Sequence, residues 1–265
     1  MAWNGDLSTI RASLRSRVKR GRGVGEMATY RSWHGLREKP GKATFVVTPG
    51  IRTGRRHELR SMQAEIYLYL LERLNGMVDI REYLPILDVA ETMQICAQLG
   101  IEHPHNEEDV EPFVLDFFYI RLDEDGFRCS ARTLRTSQHA PAKGDVERMR
   151  VLQTWCERYN IEWLPVDTSS LTPSIQESLS FLRAWHRHRF EPTAAPIRRF
   201  AELFSKLYRR GATLETLVAD ISARTGLTLE DCENQFRYAG WAGFLDVNLS
   251  QPLARDKTVT LNASR

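Results

Sequence analysis

The sequence predicts a mixed α/β core followed by a mostly helical C-terminal region, and three observations carry that expectation. From residue 61 the apolar patterning alternates in the order helix, strand, helix or loop, hairpin, helix, strand. At residues 168–174 the stretch TSSLTPS interrupts it with Ser, Thr and Pro, the composition of a linker. Beyond that point the patterning is helical, and its clearest part is a pair of helices meeting at Gly226.

Residues 8–20 (STIRASLRSRVKR) place an intermittent apolar stripe behind a Ser cap, which predicts a short basic helix ended by the glycines of GRGVG. Tyr30 and Trp33 then stand among Arg31, His34, Arg37 and Lys39. Aromatics interleaved with bases can stack on nucleobases while the bases neutralise phosphates, or they can anchor a basic arm to a core. ATFVVTP at 43–49 reads as a strand. Ser61 caps the helix MQAEIYLYLLERLNG, which stops at Asn75-Gly76, and VDIREYLPIL is a strand closed by Pro85. Residues 88–110 read as a helix followed by an acidic loop. VLDFFYIRLDEDGFRCSARTLRTS (114–137) is a hairpin turning at Asp125-Gly126. VERMRVLQTWCERYN is an amphipathic helix, and IEWLPVD a buried strand after it. In the C-terminal region, helices at 213–224 and 228–239 are followed by FLDVNL and KTVTL as wing strands, a pattern that resembles a winged helix-turn-helix. The expected domains are a basic arm (1–42), an α/β core (43–167) and the winged helix-turn-helix domain (168–265).

The chain has 265 residues, 42% hydrophobic and 27% charged, an ordinary composition for a folded protein of one or two domains. No apolar run approaches the ~20 residues that span a bilayer, and the charged N-terminus lacks the apolar core of a secretory signal. Cys96, Cys129, Cys156 and Cys232 are widely spaced, which argues against a zinc site or a disulfide framework and suits a reducing cytoplasm. The net charge of +3 hides an asymmetry. Residues 1–60 hold 14 Lys or Arg against 4 acids, and residues 61–130 hold 4 against 15. A basic arm on an acidic body suggests a polyanion partner beside a cation-binding site, or an arm that folds back on the body.

The residue that asks for a function is Asp116, flanked by Val114, Leu115, Phe117 and Phe118. A carboxylate in an apolar run needs a metal or strong donors to stay charged, unless it faces solvent on an edge strand or caps a turn. A metal-dependent phosphodiesterase needs acidic oxygens for Mg²⁺ and a cation for the attacking water or the developing phosphorane charge. A helix Glu, a strand Asp and a ligand-X-Lys on the next strand form such a site, and Glu65, Asp116 and Thr133-Leu134-Arg135 fall at those places. Glu65 also fits a solvated acidic row with Glu58 and Glu72, and Arg135 a surface position on a strand.

The stretches SRVKRGRGVG, VDIREYLPIL, LGIEHP, VLDFF and RMRVLQTWCERYNIEWLPVD resemble, in order over about residues 15–167, those of the TnsA-like endonuclease subunits of heteromeric transposases. The resemblance implies a restriction-endonuclease-like (PD-(D/E)XK) nuclease domain that cuts the 5′ ends of a transposon with Mg²⁺ or Mn²⁺. It implies as partners double-stranded DNA at the transposon ends, a TnsB-like transposase and a TnsC-like AAA+ regulator that docks on the C-terminal domain. It implies Glu65, Asp116 and Arg135 as the catalytic set, and Glu65, Asp116, Thr133 and the Leu134 carbonyl around the metal. The basic arm, with Arg17, Lys19, Arg20, Arg22, Tyr30, Arg31 and Trp33, is expected on DNA. The family carries Gln-X-Lys where this chain has Thr133 and Arg135. Arg keeps the charge but cannot deprotonate, and its fork is larger than an ammonium. The alternative expectation is therefore a structural subunit of the same assembly with an impaired site.

Overall fold

The computed structural model describes residues 12–35, 45–106, 109–135 and 142–262. The first residues of the expected basic helix (8–11), the start of the expected strand at 43–44, and Glu107 and Glu108 of the acidic loop lie outside them. The described chain forms two compact units, residues 1–170 and 171–265.

In the first unit, α1 (Ala12–Lys19) is followed by a short 3-10 turn at 27–29 and a hairpin of β1 (Val46–Pro49) and β2 (Arg56–Leu59). Helix α2 (Met62–Glu72) starts at Ser61, whose side chain accepts from the Ala64 amide, as the Ser cap predicts. Then come β3 (Met77–Pro85), α3 (Val89–Leu99), the two-residue strands β4 (His105–Asn106) and β5 (Asp109–Val110), β6 (Val114–Asp123), β7 (Gly126–Arg135), α4 (Lys143–Arg158) and β8 (Glu162–Asp167). β3, β6, β7 and β8 form one sheet in that order, antiparallel except for the parallel β7–β8 pair. Phe117 and Phe118, adjacent on β6, point to opposite faces. Phe117 meets Tyr67 of α2, while Phe118 joins Ile95 and Cys96 of α3 and Val151, Leu152 and Trp155 of α4. The sheet thus lies between α2 and the α3–α4 pair.

Two strands differ from expectation. RHEL at 56–59 has no apolar alternation, and it is a strand because β1 pairs with it and because His57, fully buried, reaches Glu82. β8 is an edge strand with Leu164 48% exposed, not a buried one, since no further strand covers it among the described residues.

The second unit holds α5 (Pro173–Arg187), α6 (Ala194–Leu207), α7 (Leu214–Thr225) and α8 (Leu229–Trp241). Gly226, at φ 74°, takes the left-handed conformation that ends α7 and permits the turn into α8. The segments expected as wing strands meet their partners only as isolated bridges, Thr213 with Thr258 and Val247 with Leu261. Helix α8 packs against α5, α6 and α7, so its polar residues Glu233, Asn234, Gln235 and Arg237 are buried. Arg237 stacks over Phe181 and pairs with Glu233, while Asn234 bonds His188. A helix that reads base edges leaves such side chains free. The exposed start of α8 is instead Leu229, Glu230 and Asp231.

Candidate functional site

Asp116 lies where the ladder between β3 and β6 is interrupted. Glu82 pairs with Phe117 and Leu84 with Leu115, and Tyr83 between them has φ 50°, a conformation costly for an aromatic residue. Tyr83 is held there on several sides. Its carbonyl accepts from the Trp33 amide at 3.3 Å and the Tyr30 hydroxyl at 3.2 Å, and its own hydroxyl accepts from the Arg60 amide at 3.0 Å. Burial first, and then the Asp116 charge, push the Tyr83 hydroxyl above its ordinary range, against the Arg60 amide.

The Asp116 carboxylate is held by the next strand and by a helix. Oδ2 accepts from the Leu134 amide of β7 at 2.8 Å, and Oδ1 stands 3.6 Å from the Arg148 guanidinium of α4. Arg148 also donates to the Val114 carbonyl. Burial raises the Asp116 carboxyl above its ordinary value, and Arg148 and the Leu134 amide offset part of that rise. A carboxylate that its surroundings leave under-stabilised is one that a further cation would favour. A cleft of about 840 Å³ opens beside it, with Arg17, His34, Arg60, Glu111, Val114 and Arg148 in its wall. Arg148, which faces Asp116, and Val114, two residues before it, belong to that wall, while Asp116 does not.

The other expected site residues are placed as follows. Glu65 sits in the first turn of α2, where the helix dipole favours a carboxylate. It is 6% exposed and accepts from the Tyr69 hydroxyl at 2.7 Å, and that hydroxyl is 3.2 Å from Thr48 on β1. It does not belong to a solvated acidic row, since Glu58 is on β2 and Glu72 is fully buried against the Ile51 amide. Thr133 is buried, and its Oγ1 accepts from Trp163 Nε1 at 3.2 Å. Leu134 contributes its amide to Asp116. Arg135, half-buried, ends β7, and its carbonyl accepts from the Thr168 amide and hydroxyl. Among the described residues no group of three or more His, Cys, Asp or Glu side chains could hold a metal. Asp116 still suits Mg²⁺, which takes one or two carboxylates and keeps several waters. Its Oδ1 is a hard donor on a carboxylate 20% exposed and partly desolvated, faced by a guanidinium at ion-pair distance.

The arm corrects one expectation. Tyr30 and Trp33 are 2% and 0% exposed, so neither ring can stack on a base. Both anchor the arm: Tyr30 donates to the Glu82 and Tyr83 carbonyls, and Trp33 sits in a cluster with Leu14, Val18, Tyr83 and Val114. The bases around them are more open. Lys19, Arg20 and Arg31 are exposed, Arg17 lies 4.7 Å over the Trp33 ring, and Arg22 pairs with Glu58 at 3.1 Å.

Two features were missed from sequence. One is Arg148, whose signal was a charge in the apolar stripe of α4, in register with Leu152 and Trp155. The other is the buried cluster of Arg55, His57 and Glu82 that fastens the β1–β2 hairpin to β3.

No protein-family model matches the chain. Over 167 residues it is 26% identical to the transposition protein TnsA of transposon Tn7 from Escherichia coli, covering 63% of this chain and 60% of that protein. The matched stretch is thus less than two thirds of that relative's length. The chain is similar to that protein over this stretch, and the mixed α/β unit is compatible with a nuclease fold. Among the described residues no helix is long and apolar enough to cross a membrane.

Proposed function

We propose that this protein is the endonuclease subunit of a transposase, hydrolysing phosphodiester bonds at the 5′ ends of a transposon with Mg²⁺. The observation that carries the reading is Asp116, a carboxylate set into the apolar core of a TnsA-like unit, steadied by one amide and faced by a cation beside a cleft. Mg²⁺ bound at Asp116 would polarise the scissile phosphate and lower the pKa of an attacking water. Asp116 Oδ1 would hold it, with Glu65, Thr133 and the Leu134 carbonyl as the further oxygens that the family pattern assigns. The residues of the chain do the rest. The Leu134 amide fixes the carboxylate plane, and Arg148, Arg17 and Arg60 make the wall of the cleft attractive to a phosphate backbone. Lys19 and Arg20, exposed at and just past the end of the helix that carries Arg17, and exposed Arg31 add to the basic character of the arm. Arg135 supplies charge at the end of β7, where a Lys stands in the family pattern.

A TnsB-like transposase that cuts and joins the 3′ ends and a TnsC-like AAA+ regulator are the proposed partners. Residues 171–265 serve as the docking unit for the regulator, and a DNA-reading winged helix is disfavoured by the burial of the α8 polar face. A second reading is supported by the end of β7: Arg135 replaces the Lys, and the Thr133 oxygen is already engaged by Trp163. On that reading the subunit assembles but does not cut. Purified protein, incubated with both partners, a transposon-end duplex and Mg²⁺, should produce 5′-strand nicks that Asp116→Ala abolishes. Nicks that survive Asp116→Ala refute the site. No nicks with the native chain but nicks with Arg135→Lys establish the second reading.

A further inference from the structure

Arg148 is the one cation recorded against Asp116 among the described residues, and its surroundings are unusual for a structural ion pair. It lies on the face of α4 that carries Leu152 and Trp155 into the core, yet its side chain is 35% exposed and forms part of the cleft wall. Its hydrogen bond goes to the Val114 carbonyl, and its distance to Asp116 Oδ1 is 3.6 Å, longer than the ~2.7–2.9 Å of a charge-assisted hydrogen bond. The guanidinium thus neutralises the carboxylate without saturating it. A guanidinium keeps its charge at every accessible pH, so only movement can take it away.

We propose that Arg148 is a positioning residue that keeps the place of a divalent cation at Asp116 and yields it when the cation binds, its guanidinium turning along the cleft wall toward a DNA phosphate. The proposal rests on the nuclease reading of Asp116 given above. The exchange follows from simple electrostatics. A doubly charged ion at a ligand distance of ~2.1 Å attracts the carboxylate roughly threefold more strongly than a single charge at 3.6 Å, at equal dielectric. The same ion repels the guanidinium from the position it held. Arg148 shares the cleft wall with Arg17 and Arg60 as well as Glu102, Glu111 and Glu147, and a phosphate held by the two other arginines gives the displaced group its place. There its planar fork matches the two oxygens of a phosphate. The arrangement also limits the cost of an unoccupied site, because Asp116, 20% exposed among apolar neighbours, would otherwise be a partly desolvated charge without a counter-ion.

The test measures Mn²⁺ binding by electron paramagnetic resonance, with no DNA and no turnover, in the full-length protein. The variants are Arg148→Gln, Arg148→Lys and Asp116→Asn. Gln keeps an amide donor for the Val114 carbonyl but loses the charge, and Lys keeps the charge and controls for altered packing. The expected result is loss of binding in Asp116→Asn, binding about tenfold tighter than native in Arg148→Gln, and near-native binding in Arg148→Lys. In Ca²⁺, a duplex should bind native protein more tightly than in its absence, and Arg148→Gln should lose that gain. Arg148→Gln binding Mn²⁺ no more tightly than native, with Asp116→Asn still unable to bind, overturns the proposal and leaves the nuclease reading standing. Native-like Mn²⁺ binding by Asp116→Asn overturns both.

Discussion

Replacing Glu82 with Gln isolates the buried charges that hold the β1–β2 hairpin to β3, one residue before Tyr83. Glu82 is fully buried and accepts from Arg55 at 2.5 and 2.9 Å, from His57 Nδ1 at 2.8 Å and from the Glu58 amide at 3.2 Å. Burial by itself would raise its carboxyl, but the hydrogen bonds and charges of Arg55 and His57 outweigh it and bring the group down to about 2, against an ordinary 4.5. A depressed carboxylate adds stability above its unfolded value and loses it as pH falls toward the folded one. The contribution is therefore about 3 kcal/mol at pH 7, and about 1 kcal/mol remains at pH 3, so about 2 kcal/mol disappears in that window. Urea unfolding of the full chain at both pH values, with the Trp33 indole resonance reporting this unit, measures it directly. At pH 7 the variant should be less stable by about 3–5 kcal/mol, since Arg55 is left as a buried charge without its partner. Its loss between pH 7 and pH 3 should be about 2 kcal/mol smaller than in the native chain. Equal losses in the two proteins, or a Glu82 carboxyl titrating near 4 by carbon NMR, refute the reasoning.

Three other outcomes are expected. Asp116 titrates the other way: its carboxyl is raised by burial, so the ionised form is disfavoured in the fold and its contribution to stability falls as pH rises through the folded value. Asp116→Asn, which keeps an acceptor for the Leu134 amide, should leave the metal-free melting temperature at pH 7 no lower than native and remove any rise on adding Mg²⁺; a fall of several degrees contradicts this. Trp33→Ala should cost about 3–5 kcal/mol and free the arm, so that trypsin cuts at Arg17, Arg22 and Arg31 faster than in the native protein; unchanged cutting would show that the ring is not the anchor. Arg237→Met should lower the melting temperature while changing duplex affinity less than about twofold at fixed salt, because this Arg packs on Phe181 inside the second unit; a large loss of DNA binding would restore α8 as a reading helix.

What could be read from the sequence was what depends on near neighbours. The hairpin of β6 and β7 was legible because an apolar run, an Asp-Gly turn and a second strand follow one another, and Asp116 stood out against its flanks. Helix α2 was legible from its Ser cap. Partners distant in sequence were not. RHEL becomes a strand through β1 and Glu82, and nothing within those four residues shows it. Tyr30 and Trp33 look alike in sequence whether they face DNA or a core, and the choice is made by the Glu82 and Tyr83 carbonyls and by the cluster around Val114. The polar stripe of α8 looks like an exposed face until His188 and Phe181, from α5 and its end, are seen to occupy it.

The same difference moves the question of the cation. In the sequence, the altered residue Arg135 carried all the weight, because it stands where the family pattern has its Lys. In the structure, the cation in contact with Asp116 is Arg148, supplied by α4 across the face of the sheet. Arg135 is held through its main chain by Thr168, at the end of the strand whose Leu134 amide orients the carboxylate. The charge set against Asp116 therefore comes from α4, while β7 contributes the Leu134 amide. Positive charge at Asp116 is thus supplied by α4, whatever residue ends β7. Arg135→Lys and Arg148→Gln accordingly separate two quantities: the first changes charge placement at the end of β7, and the second changes the competition for Asp116. If cutting depends on the β7 cation alone, only Arg135→Lys will alter its rate. If the guanidinium of α4 takes part, Arg148→Gln will reduce cutting even where it strengthens metal binding.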